Sequence, residues 1–134
     1  MYNKLGVENG DIPDANFEAS HSYSDSYGPH QARLNRPSRW AVDGSISGPW
    51  IQVDIGYSTN VSGLLTQGQT WGGVGRWITK LKVSTFTVAD EQEEVFIKDE
   101  NGADKVFIGC KRKIPFFPVV KSLHKCRHSP KVAS

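Results

Sequence analysis

Apolar and polar positions alternate most cleanly in Trp50-Ile51-Gln52-Val53-Asp54-Ile55, with Ile51, Val53 and Ile55 on one side and Gln52 and Asp54 on the other. A period of two is that of a half-buried β-strand, and Gly56 ends it. Val61 to Gln67 is a second candidate strand, weakened by its internal Gly63. Trp77 to Val88 is the longest β-prone run, rich in β-branched residues. Its apolar phase shifts from Leu81 and Val83 to Phe86 and Val88, which predicts a bulge or bend. Glu94–Lys98 and Lys105–Ile108 flank a polar connection containing Asn101-Gly102, two residues that tolerate positive φ and so predict a hairpin. No segment keeps a helical period over three turns, and no internal repeat or low-complexity tract is present. Many short strands between Gly, Pro and Asn turns predict an all-β sandwich or barrel.

Two connections stand out because they combine turn residues with aromatic side chains. One runs from His21 to His30 and includes Tyr23 and Tyr27; the other runs from Gln67 to Arg76 around Trp71, Gly72, Gly73 and Gly75. Loops held by a rigid scaffold are where binding residues concentrate.

The 134 residues suffice for one domain and not for two. With 37% hydrophobic and 22% charged residues, the composition is that of a folded globular chain. No run reaches the roughly 18 apolar residues of a membrane span. Met1–Gly6 lacks the apolar stretch of a signal peptide, so a secreted protein is expected here only as a fragment, an excised domain or an incomplete gene product. The net charge of +2 conceals an asymmetry: residues 110–134 carry seven basic and no acidic groups, leaving nine basic against fourteen acidic in the rest. Such a break marks a boundary. Both cysteines, Cys110 and Cys126, lie on its basic side, where a disulfide between them closes only a short loop. The proline-broken patch Ile114–Val120 has neither strand nor helix period.

An ordered series of motifs resembles the discoidin (coagulation factor V/VIII type C) family. Leu5-Gly6 leading into Gly10-Asp11-Ile12-Pro13-Asp14 looks like the opening of such a domain, and Phe17-Glu18-Ala19-Ser20 like its first strand. Ala32-Arg33-Leu34-Asn35, Trp40 and Trp50-Ile51-Gln52-Val53-Asp54-Ile55-Gly56 follow in the family's order. So do Val61-Ser62-Gly63 with Thr66-Gln67-Gly68, Trp77-Ile78-Thr79 with Lys82-Val83, and Lys105-Val106-Phe107-Ile108-Gly109. The resemblance covers residues 5–109 and implies an eight-stranded jelly-roll sandwich. Loops at one end of that fold bind glycan, protein, collagen or phospholipid ligands, without catalysis. Three departures are visible: the cysteine expected before Leu5 is absent, Cys110 replaces a usual asparagine, and the family's final strands and closing cysteine are missing. Residues 110–134 are therefore expected to be a poorly ordered tail arising from a shifted frame, an alternative exon or truncation.

The resemblance makes Trp71 the leading candidate ligand anchor, with Val74 and Arg76 in the same loop and Tyr23, Tyr27 and His30 in the first. An exposed tryptophan buries its face on a sugar, a membrane interface or a partner's pocket; the competing reading folds Trp71 back under its loop. Arg76 suits a phosphate, carboxylate or sulfate, or is a plain surface charge. Tyr23, Tyr27 and His30 divide evenly between ligand contact and loop packing. Trp40, Trp50 and Trp77 read as core or near-core, and Arg33 as a structural arginine tying loop backbone or a buried carboxylate. Asn60-Val61-Ser62 is an N-glycosylation sequon.

His124-Lys125-Cys126-Arg127-His128 does not have structural-zinc spacing, and no calcium loop is readable, so no metal or cofactor is expected. Asp90, Glu91, Glu93 and Glu94 form a solvated charge run, and no nucleophile motif is present, so no enzymatic activity is expected. The expected function is extracellular or cell-surface adhesion to a glycan or protein, with anionic phospholipid ranked lower because the body is acidic. A purely structural domain of a larger secreted protein and a non-functional truncated product are the rival readings. Nucleic acid is not an expected partner.

Overall fold

A computed structural model describes residues 5–57, 59, 61, 63–71, 73–86, 94–108 and 125–131, with backbone alone at Trp71, Phe86 and 125–131. The strands are β1 (Phe17–Ala19), β2 (Ile51–Asp54), β3 (Gln69–Trp71), β4 (Val74–Arg76), β5 (Lys80–Phe86), β6 (Val95–Phe96), β7 (Phe107–Ile108) and β8 (Lys125–Lys131). Three single-turn 3-10 segments, Asp14–Asn16, Asp25–Tyr27 and Pro29–Ala32, are the only helical elements among the described residues. One antiparallel sheet runs β1-β2-β8-β5-β6 with β7 also on β5, and β3 and β4 form a separate two-stranded ribbon.

Register explains the core. Phe17 pairs with Val53 and Ala19 with Ile51, while Leu81 pairs with Phe107, so the alternation read from the sequence puts one apolar face inward. Phe17, Ile12, Ile55 and Val61 form one buried cluster, with Leu5, Val7 and Val53 against it. Leu81, Val83 and Phe107 form another, flanked by Leu64, Ile78 and Ile97. Each fully buried side chain of this size stabilises the fold by about 2 kcal/mol.

Two strand expectations are corrected. The segment from Val61 to Gln67 forms no strand at its described residues; it serves instead as a crossing strap, with Val61 in the first cluster and Leu64 against the second. The bulge expected after Val83 is also missing, because β5 pairs with β8 without a break from Lys80↔Lys131 to Phe86↔Lys125. Buried Thr85 continues the inward phase of Leu81 and Val83. The expected turn forms and is closed by the Lys98↔Asp104 bridge and the Lys105 N–H to Ile97 carbonyl bond, while β6 and β7 themselves pair with β5 rather than with each other. The Asp99 carboxylate accepts hydrogen bonds from the backbone N–H groups of Asn101 and Ala103, and Gly102 takes φ +78°.

No strand was expected beyond residue 109, yet β8 sits between β2 and β5. Its alternation of charged or polar residues at 125, 127, 129 and 131 matches a strand, but Pro130 masks it. That proline falls where β8 pairs with β5 alone, β2 pairing having ended at His128, and proline is tolerated at such margins. Cys110 and the basic triplet Lys111-Arg112-Lys113 lie outside the described residues. Deleting residues 125–131 is expected to lower Tm, read by thermal denaturation, because β8 lies between β2 and β5. A body that survives without the segment would show that β8 does not hold the sheet.

Candidate ligand-binding rim

The first long loop folds back on itself through its backbone. Ser20 N–H donates to the Trp50 carbonyl (2.9 Å), Tyr23 N–H to the Ala41 carbonyl (2.8 Å) and Ala41 N–H to the Tyr27 carbonyl (3.3 Å). The Trp40 indole donates to the His21 carbonyl at 3.0 Å. These bonds present Tyr23 and Tyr27 edge to face, with ring centroids 6.0 Å apart. Tyr23 is 64% exposed, and Tyr27 is half-buried.

Arg39 then joins this loop to the ribbon. Its guanidinium lies 4.8 Å from the Tyr27 ring centroid and donates to Gln69 Oε1 at 2.8 Å, a cation–π contact and a charge-assisted bond from one side chain. The Gln69 amide donates in turn to the Pro37 carbonyl, and Gln67 Oε1 accepts from Asn35 N–H at 2.9 Å. The start of β3 is thus docked on residues 35–39 by two glutamine side chains.

The loop expected between Gln67 and Arg76 is the β3–β4 ribbon, with Gln69 opposite Arg76, Thr70 opposite Gly75 and Trp71 opposite Val74. Gly73 at φ +81° makes its turn. A Cβ at Gly75 would meet the Trp77 ring at 3.1 Å, so the glycine lets that ring lie against the ribbon. Val74 is 59% exposed at the tip, and Arg76 is exposed beside Gln69. Cross-strand partners share a face, so Arg76 and the Arg39–Gln69 pair occupy one side of the rim.

Of the residues singled out in the sequence, Tyr23, Tyr27, Val74 and Arg76 meet at this rim. Trp71 has its backbone at the ribbon's end, opposite Val74, and its side chain lies outside the described residues, as does Asn60. His30 is half-buried, 3.2 Å from the Gln31 amide and close to Gly28; its contacts are those of loop packing. Trp40, Trp50 and Trp77 are half-buried rather than core. Arg39 and Gln69 were not singled out, although an arginine beside Trp40 and a paired Gln-x-Gln opening a glycine-rich loop were visible.

Arg33 is structural. Only 4% exposed, it donates to the carbonyls of Val7 (2.6 Å) and Ile12 (2.7 Å) and to Asp14 Oδ1 (2.6 Å), and lies 4.4 Å from the Phe17 ring centroid. The Arg33 hydrogen bond holds the Asp14 carboxyl below the usual aspartate value of 3.8. Outside this clamp, Glu8, Asn9, Gly10, Leu34, Asn35 and Arg36 line an open groove of about 570 Å³. Asn35 here is committed to Gln67 through its N–H and to Glu8 through its side-chain amide, and no exposed aromatic ring lines the groove, so the rim is the better candidate. Among the described residues no group of His, Cys, Asp and Glu is placed to hold a metal, and no helix is long and apolar enough to cross a membrane.

An all-β sandwich that gathers tyrosine rings, guanidinium groups and amides on loops at one end is a ligand-binding module. Residues 16–103 match the F5/8 type C domain, and the chain belongs to that family. It is similar to lactadherin of Mus musculus, 36% identical over 114 residues, covering 79% of this chain and 24% of that protein. It is also similar to retinoschisin of Mus musculus, 31% identical over 113 residues, covering 78% of this chain and 49% of that protein. The chain thus spans about a quarter and about half of these relatives' lengths. Among solved structures it shares its fold with the family 32 CBM from C. perfringens NanJ in complex with galactose, at a TM-score of 0.54 and 17% identity, over 92% of this chain and 87% of that one.

Proposed function

We propose that this domain is an extracellular, non-catalytic adhesion module whose rim takes a glycan. The observation that carries this is the continuous Tyr23–Tyr27–Arg39–Gln69 contact chain, which fixes the first loop against the ribbon. An exposed ring supplies an apolar platform for a sugar face, while Arg76 and the Arg39–Gln69 pair supply donors and an acceptor for hydroxyls or a carboxylate. A preformed rim of this kind loses little conformational entropy on binding. That the same fold holds galactose in the solved module makes a sugar ligand compatible with the architecture.

A glycan array probed with the domain at physiological salt tests this, with phosphatidylserine vesicles and extracellular-matrix proteins as parallel arms. Binding to defined glycans supports the proposal; binding to vesicles or protein alone overturns it. Arg39→Met is expected to weaken glycan binding about tenfold, through loss of a charge-assisted bond and a ring contact that hold both loops. Unchanged affinity would remove Arg39 from the recognition apparatus.

A further inference from the structure

The face of the large sheet opposite the core carries a second surface. Along β5, Leu81 and Val83 are buried, so Lys80 and Lys82 project the other way. Register adds a neighbour on that face: Ile108 of β7 lies opposite Lys80. In the turn between β6 and β7, where Lys98 bridges to Asp104, Lys98 and Lys82 converge on one carboxylate, donating to Asp104 Oδ1 at 2.6 Å and Oδ2 at 3.0 Å. Their side chains remain 54% and 41% exposed. Asp104 is the acidic group between them; Asp99 is turned into its own hairpin, and Glu100 sits at the hairpin tip. Among the described residues, the other acidic positions of this face are Glu18, Asp54 and Glu94, toward its other end, with Glu94 bonded to Ser84. Three lysines, at 80, 82 and 98, therefore lie about one aspartate.

We infer that this face binds a sulfated polysaccharide, independently of the rim. Lys80 and Lys82 are separated by about 7 Å along one strand, and Lys98 shares the Asp104 carboxylate with Lys82. That gives a flat row of ammonium groups to which a linear polyanion can align. Lysine meets sulfate as a point charge, without needing the fork geometry of arginine. A nucleic acid fits less well: duplex readers insert a helix or ribbon into a groove, and single strands stack on exposed rings. Here Phe96 is half-buried with the Lys82 ammonium 5.9 Å from its ring centroid. A membrane fits less well because Val106 and Ile108, the large apolar side chains described as exposed beside these lysines, offer no aromatic interface anchor.

Heparin is the probe, with chemically desulfated heparin, duplex DNA and phosphatidylserine vesicles as comparison arms, measured across a salt series. The full chain should bind heparin and not its desulfated form. Lys80→Ser/Lys98→Ser leaves Asp104 paired with Lys82 and should weaken heparin binding roughly tenfold. It should also lower the dependence of log Kd on log salt by about 0.8 for each lysine removed. Lys80→Arg/Lys98→Arg should retain binding, which separates lost charge from damaged folding. Trp71→Ala should leave heparin affinity unchanged even where it abolishes glycan-array binding, so the two sites stand or fall separately. Wild-type failure to bind, serine and wild-type chains binding alike, or equal binding to DNA, vesicles or desulfated heparin would each overturn the assignment.

Discussion

Arg33→Met is expected to cost the domain about 3 kcal/mol, read by urea denaturation, with a fall in Tm on the order of 10 °C. Methionine keeps much of the side-chain volume but none of the donors. The Val7 and Ile12 carbonyls lose their guanidinium partner at a place where Arg33 shuts out water. An acceptor stranded in this way costs about 1–3 kcal/mol. The loss of the charge over Phe17 adds to this. Asp14 contributes in a different way, because its carboxylate is exposed and its pairing is screened by solvent. Its folded-state pKa lies below 3.8, so its share of stability is present above that value and disappears as the pH falls through the lowered one. The wild type should therefore show a loss of stability below about pH 4 that Arg33→Met shows less of. Equal acid sensitivity in both proteins would mean that the pair does not contribute.

Trp71→Ala is expected to weaken ligand binding roughly 30-fold, the loss of about 2 kcal/mol usual for an interface hot-spot tryptophan, while Tm changes little. The expectation rests on position: Trp71 ends β3 opposite Val74, whose side chain stands in solvent at the ribbon tip. Trp50→Ala should give the reverse, losing about 2 kcal/mol of stability. Trp50 N–H donates to the Ser20 hydroxyl and its carbonyl accepts from Ser20 N–H, and its half-buried ring borders β2. If Trp71→Ala unfolds the domain, the tryptophan is a structural plug and the rim ends at Val74 and Arg76.

The legible parts of this chain were those whose signal is local. Alternation located β2, a β-branched-rich run located β5, and Asn101-Gly102 located the turn between β6 and β7. The family motifs marked Arg33 as structural before any of its bonds were visible. The misread parts depend on partners far along the chain. Val61–Gln67 has strand-like residues, but its side chains are taken by two separate clusters. The Gly-rich 67–76 segment becomes a ribbon because Gln67 and Gln69 are held by residues about thirty positions earlier. The same long-range bonds bring Arg39 to the rim, which no spacing rule reveals. In β8, a proline and a change of charge concealed a simple alternation.

Among the described residues, the β3–β4 ribbon shares no ladder with the six-stranded sheet. It is fastened at its base, by Gln67, Gln69 and the packing of the Trp77 ring beneath Gly75. Residues 70–74 are therefore an exchangeable cassette: their identity sets what the rim touches, while the anchors that keep it in place lie outside them. Substitutions there should change ligand preference at little thermodynamic penalty to the scaffold, which makes this tip the natural place for selection to diversify specificity and for grafted loops to be displayed.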